Sequence, residues 1–225
     1  MKQLQTVLTL IILLLVWPGK SAVLVNDIWN TGIRTYPAYN DPNSPYSEMG
    51  VDYNSSGDFE SAWFNTGNAM TASPGHLVTT LPVNGTSSAS WTTYFTPEAS
   101  PVTLANTGDE LIITWIFTPT GVNSASTSGT GFRIAVADSP AAARLTSDGS
   151  PGSSTYAGYG LFLNMATTLA SSAPFELMER TAPGTSSAFL SSSGSWAGLA
   201  NGATSGHTGY ESGPTYTLVM TFHRN

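Results

Sequence analysis

Along most of the chain, hydrophobic residues alternate with polar or smaller ones at a period of two. In residues 110–118, Leu111, Ile113, Trp115 and Phe117 fall on one side, and Ile112, Thr114, Ile116 and Thr118 on the other. This gives one large apolar face and one mixed face, the signature of a half-buried β-strand. Residues 132–137, 156–165, 175–180 and 215–223 read the same way, the last with Tyr216, Leu218, Met220 and Phe222 on one side. Shorter candidates are 23–29, 59–64, 76–81, 89–95 and 102–105. Turn formers such as Thr118-Pro119-Thr120-Gly121 and Gly149-Ser150-Pro151-Gly152 separate these runs. Only residues 139–146, with Pro140 in the first turn and Ala141-Ala142-Ala143-Arg144 after it, read as a brief helix. About ten short strands with almost no helix predict an all-β antiparallel β-sandwich. No repeat of fixed period suggests a propeller or solenoid.

The N-terminus follows a different pattern. Lys2 precedes an apolar run at 7–16 interrupted only by Thr9; Trp17-Pro18-Gly19 ends the run, and Ser21 and Ala22 are small. This order is that of a secretory signal peptide over residues 1–22. The apolar core is about half the roughly 20 residues needed to cross a bilayer. A single domain over residues 23–225 is expected to follow, either released or resident in the cell envelope.

Removing 1–22 changes the charge picture. Both lysines, Lys2 and Lys20, leave with it; five arginines then face fourteen acids, a formal charge of −9. Such a chain repels phosphate backbones and anionic membrane surfaces, so neither nucleic acid nor stable membrane insertion is expected. Charged residues are 9% of the sequence, so Ser, Thr, Asn and Gly must carry solubility. The chain has no cysteine, which removes disulfides, thiolate metal sites and a thiol nucleophile.

Residues 100–225 carry a resemblance in pattern. Leu104-Ala105-Asn106-Thr107-Gly108-Asp109-Glu110-Leu111-Ile112-Ile113-Thr114-Trp115-Ile116-Phe117 resembles the Gly-Asp-led first strand of laminin-G-like, concanavalin-A-like jelly rolls exported by bacteria. Gly131-Phe132-Arg133-Ile134-Ala135-Val136-Ala137-Asp138 and Tyr156-Ala157-Gly158-Tyr159-Gly160-Leu161-Phe162-Leu163-Asn164 are similar to the strands that follow. Residues 216–224 look like the strand that leads into a final hairpin, yet Arg224-Asn225 stops where its partner would begin. The resemblance implies a jelly roll that either lacks its last strands or is a truncated product, and in the truncated case an open edge at 215–223 or a neighbouring strand. It carries no catalytic motif.

Candidate chemistry falls into three classes. Glycoside cleavage needs two carboxylates about 5 to 10 Å apart. Asp58 and Glu60 could share a strand face, but no third acid follows, and Glu176 and Glu179 would point to opposite faces of a strand. His76, His207 and His223 sit in no lyase motif, and no Gly-x-Ser-x-Gly elbow precedes a helix. Calcium is the one cofactor considered, with Asp41, Asp52 and Asp58 as ligands from the oxygen-rich stretch between Asn40 and Asp58. Carbohydrate binding uses flat aromatic rings: Trp63, Trp91 and Trp196, the last in a Ser/Gly-rich stretch, with Tyr36, Tyr39 and Tyr53. Trp115 belongs to the core. The reading is therefore a non-catalytic secreted sandwich binding glycan or matrix material. A polysaccharide-active glycosidase or lyase of the same class is the alternative, and a structural envelope protein the third.

Overall fold

The computed structural model describes residues 22–35, 61–67, 70–81, 88–97, 100–122, 131–151, 153–167, 175–181, 189–190, 195–202 and 209–225. Within these the chain is all-β and antiparallel. Its ten strands are β1 (Trp63–Gly67), β2 (Met70–Ser73), β3 (His76–Thr79), β4 (Ala89–Thr93), β5 (Glu110–Phe117), β6 (Gly131–Asp138), β7 (Ala157–Asn164), β8 (Phe175–Arg180), β9 (Trp196–Asn201) and β10 (Tyr216–His223). They pair as β1–β4, β2–β3, β5–β10 and the meander β6–β7–β8–β9.

The alternation along β5 becomes an alternation of burial. Leu111, Ile113, Trp115 and Phe117 are partly buried, whereas Ile112 and Ile116 are 58% and 65% exposed. Register places Ile113 opposite Met220 and Trp115 opposite Leu218, so the pair presents one continuous apolar face. That face packs on Leu161, Leu163, Phe132 and Ile134 of β6 and β7, making one core. The Phe117 and Phe132 rings stack there with centroids 4.8 Å apart. Burying such side chains is worth about 1.5 to 3 kcal/mol each, which makes this sandwich-like contact a principal source of stability.

The opposite face of the meander is covered as well. Tyr156 packs with Ala62, Phe64 and Tyr94, so the β1–β4 pair supplies a second core through its Phe64 side. Arg180 lies between these layers at 1% exposure. Its guanidinium donates to the carbonyls of Tyr156 and Phe189 and lies over the Phe189 and Trp196 rings. Desolvation lowers its pKa from the usual arginine value.

Three expectations shift. Residues 139–146 form a 3₁₀ turn, Ala141–Ala143, instead of a helix; Tyr94 and Tyr156 bond its Ala143–Leu145 end. Residues 102–105 form no strand, and 23–29 contribute only an isolated bridge residue at Asn26. β2 and β9 were not anticipated. β2 and β3 form a hairpin around Ser73-Pro74-Gly75-His76, with Gly75 at φ 79°, the left-handed angle a type II turn needs at its third position. Among the described residues β10 pairs only with β5.

Candidate functional site

Four tryptophans meet where segment 22–35, the β1–β4 pair and β5 come together. Trp63 and Asn65 on β1 share a face with Trp91 on β4, because Asn65 is the register partner of Trp91. This is the face opposite Phe64. Ring centroids lie 5.8 Å apart for Trp63–Trp115, 6.0 Å for Trp91–Trp115, 5.6 Å for Trp29–Trp63 and 6.3 Å for Trp29–Trp115. Every one of the four is partly exposed. What they offer outward is a ledge of indole edges and faces.

The hydrogen-bond donors of this ledge are unequally used. Trp63 Nε1 donates to Asp27 Oδ2 at 2.6 Å. The indole N–H groups of Trp29, Trp91 and Trp115 are buried with no partner among the described residues. Each such orphan costs about 1 to 3 kcal/mol.

Asp27 organises the approach to the ledge. One carboxylate oxygen accepts the Trp29 amide at 3.1 Å, and the other accepts the Ser61 amide at 3.4 Å as well as the Trp63 indole. Trp29 itself takes φ 51°, the left-handed region, where a bulky side chain is strained by about 1 to 2 kcal/mol. Its carbonyl accepts two amides, Gly32 at 2.9 Å and Gly75 at 3.0 Å. Downstream, Arg34 grips Asp148 through both guanidinium nitrogens, at 2.9 and 2.7 Å, and donates to the Trp63 carbonyl at 2.8 Å. Asp148 also accepts the Asn65 amide at 2.8 Å.

Among the remaining site candidates, those described lie elsewhere. Trp196 stands on β9, not in a loop, and its ring contacts are Phe162 at 5.3 Å and Phe189 at 5.4 Å. Its Nε1 donates to the Phe189 carbonyl at 2.7 Å, and Gly160 leaves the space its ring occupies, since a Cβ there would lie 3.0 Å from it. Tyr36, Tyr39 and Tyr53, the proposed ligands Asp41, Asp52 and Asp58, and also Glu60 and His207, lie outside the described residues. Among the described residues no group of three His, Cys, Asp or Glu side chains could hold a metal. Glu176 and Glu179 sit on β8 opposite Phe162 and Tyr159 respectively, hence on opposite faces, as the strand reading requires. His223 pairs across β5–β10 with Glu110 at 3.1 Å, on the surface.

The ionisable groups that burial does perturb are tyrosines and arginines. Desolvation pushes the Tyr94, Tyr156 and Tyr210 hydroxyls above the usual tyrosine range, Tyr156 most strongly. Desolvation lowers Arg133, whose guanidinium lies 4.6 Å over the Phe162 ring, while Glu176 opposes the shift. A tyrosine shifted upward stays protonated at neutral pH, so it donates hydrogen bonds and is not poised as a base.

Sequence reasoning placed Trp115 in the core and did not weigh Trp29 as a ligand-facing residue. A signal for Trp29 existed in Asp27-Ile28-Trp29, an acid two residues before an aromatic, which is the spacing of an Asx turn. Comparison of the chain with protein-family models, with curated proteins and with solved structures found no match.

Proposed function

We propose that the chain is a secreted, non-catalytic β-sandwich of the jelly-roll kind whose indole ledge binds uncharged glycans. The observation that carries this reading is the cluster of Trp63, Trp91 and Trp115, whose side chains are partly exposed and two of whose three indole N–H groups are buried with no partner among the described residues. Pyranose rings stack their C–H faces on flat aromatic surfaces, and their hydroxyl oxygens accept from N–H donors. A formal charge of −9 after signal removal works against uronates and sulfated chains and favours neutral ones.

The test is a glycan array of residues 23–225 run beside a reducing-sugar release assay. Binding to neutral glycans without release is expected, and Trp91→Ala should weaken it at least tenfold with an unchanged far-UV spectrum. Release of reducing ends would replace this reading by the enzymatic one. Silence in both assays would favour a structural envelope role.

A further inference from the structure

We infer that Trp29 is a displaceable cap on the indole ledge, and that an uncharged saccharide binds with the Trp29 turn lifted away from Trp63 and Trp115. The ligand half of this inference rests on the glycan reading above; the cap itself does not.

Trp29 touches Trp63 and Trp115 edge-on, so it covers the middle of the ledge. It does so from a segment that contains no strand, at a left-handed φ of 51° that a tryptophan adopts only under constraint. The constraint is a set of hydrogen bonds: the Asp27 carboxylate, itself bonded to the Ser61 amide and the Trp63 indole, holds its amide, and the amides of Gly32 and Gly75 hold its carbonyl, so lifting exchanges these bonds for water. The capped state also leaves the Trp29, Trp91 and Trp115 indole donors without partners among the described residues. Strain and unspent donors together raise the energy of this conformation, as backbone strain stored at ligand clamps does elsewhere. Lifting the turn returns Trp29 to the ordinary region and turns its indole N–H to water. A bound sugar hydroxyl then supplies the acceptor that Trp115 lacks.

The anchor for such a movement is already in place. Arg34 is fastened to Asp148 by two bonds, and its carbonyl accepts the Trp63 amide at 2.9 Å, so the end of the segment stays attached while Trp29 moves. Ile33, on the C-terminal side of the turn, is 49% exposed. A ligand that selects the lifted state binds with an apparent affinity reduced by the fraction of molecules uncapped.

Two measurements decide the inference. Amide hydrogen exchange on the unmodified mature protein should show Gly32 and Gly75 exchanging at least a hundredfold faster than Ile113 and Leu218 in the β5–β10 ladder. Equal protection would make Trp29 permanent core and overturn the cap. Titration with cellohexaose and laminarihexaose should show Trp29→Gly, which accepts the left-handed angle and removes the ring, binding about tenfold tighter than the parent. Unchanged or weaker binding by Trp29→Gly, with binding by the parent, overturns the cap. If neither protein binds either sugar, the glycan reading fails, and the exchange rates alone uphold or overturn the cap.

Discussion

The Tyr94 hydroxyl lies 2.9 Å from the Tyr156 hydroxyl, and the neighbours of the pair fix the direction of its proton. Tyr156 donates to the Ala143 carbonyl at 2.9 Å, and the Leu145 amide donates to Tyr94 at 2.9 Å. Tyr94 therefore donates to Tyr156. The relay begins and ends on the same short stretch of main chain, so two strand-end tyrosines pin the Ala143–Leu145 turn. Tyr94→Phe breaks it twice, orphaning the Leu145 amide and removing the Tyr156 donor. A loss of about 1 to 3 kcal/mol is expected, read as a lower urea midpoint.

The same pair sets an alkaline limit on stability. Burial raises both tyrosines in the folded state, and hydrogen bonding to Tyr94 raises Tyr156 further. The unfolded chain ionises near the ordinary value of about 10. A raised folded pKa means that the stabilisation is complete below that value and is lost as pH climbs through the folded pKa. Urea midpoints should therefore be flat in this respect to about pH 9.5 and fall above it. The fall should be shallower in the Tyr94→Phe, Tyr156→Phe double variant.

Two glycines separate a packing requirement from a neutral one. A Cβ on Gly158 would stand 2.1 Å from the Val136 carbonyl oxygen and 2.6 Å from Ala137 Cα, both main-chain atoms of the neighbouring strand. Gly158→Ala must push β6 and β7 apart, for a loss of about 3 kcal/mol. At Gly198 the nearest atom is Met178 Sδ at 3.9 Å, so Gly198→Ala should be neutral or gain up to about 1 kcal/mol. Thermal melts of the two variants provide the comparison.

Face assignment along β5 is checked by one residue type at two positions. Ile113 packs on the core of Leu161, Leu163 and Met220, whereas Ile116 is 65% exposed. Ile113→Asn should cost about 3 kcal/mol or more, and Ile116→Asn less than about 0.5 kcal/mol. Equal effects would mean that the outer face is covered.

The parts of the fold that alternation announces are those in which one face meets a core and the other meets solvent. β5 and β10 were legible to within a residue, and β8 matches the expected 175–180 because Phe175, Leu177, Glu176 and Met178 alternate cleanly. β9 was not legible: Trp196-Ala197-Gly198-Leu199-Ala200-Asn201 has no alternation and few strand formers. It is a strand because β8 offers it a ladder, with an irregularity between Leu177 and Met178 that absorbs the extra residue Leu199. β2 is short and mixed, yet Pro74-Gly75 was a readable hairpin signal beside it. At the site, sequence named Trp63 and Trp91 but could not see that they share a face, since strands β1 and β4 are brought together only by pairing across the β2–β3 hairpin. Trp196 looked exposed from its Ser/Gly surroundings; Phe162, Phe189 and the space left by Gly160 decide its place.

β10 is the last strand of the described chain, and it pairs with one more than a hundred residues earlier: His223 and Glu110 are 113 positions apart. Met220, a member of the core on β6 and β7, arrives with it. Ribosomes release the chain from its N-terminus, so that core cannot close until β10 has been made. Long-range closure of this sort slows folding and keeps β5 without its β10 partner until the later strand is made.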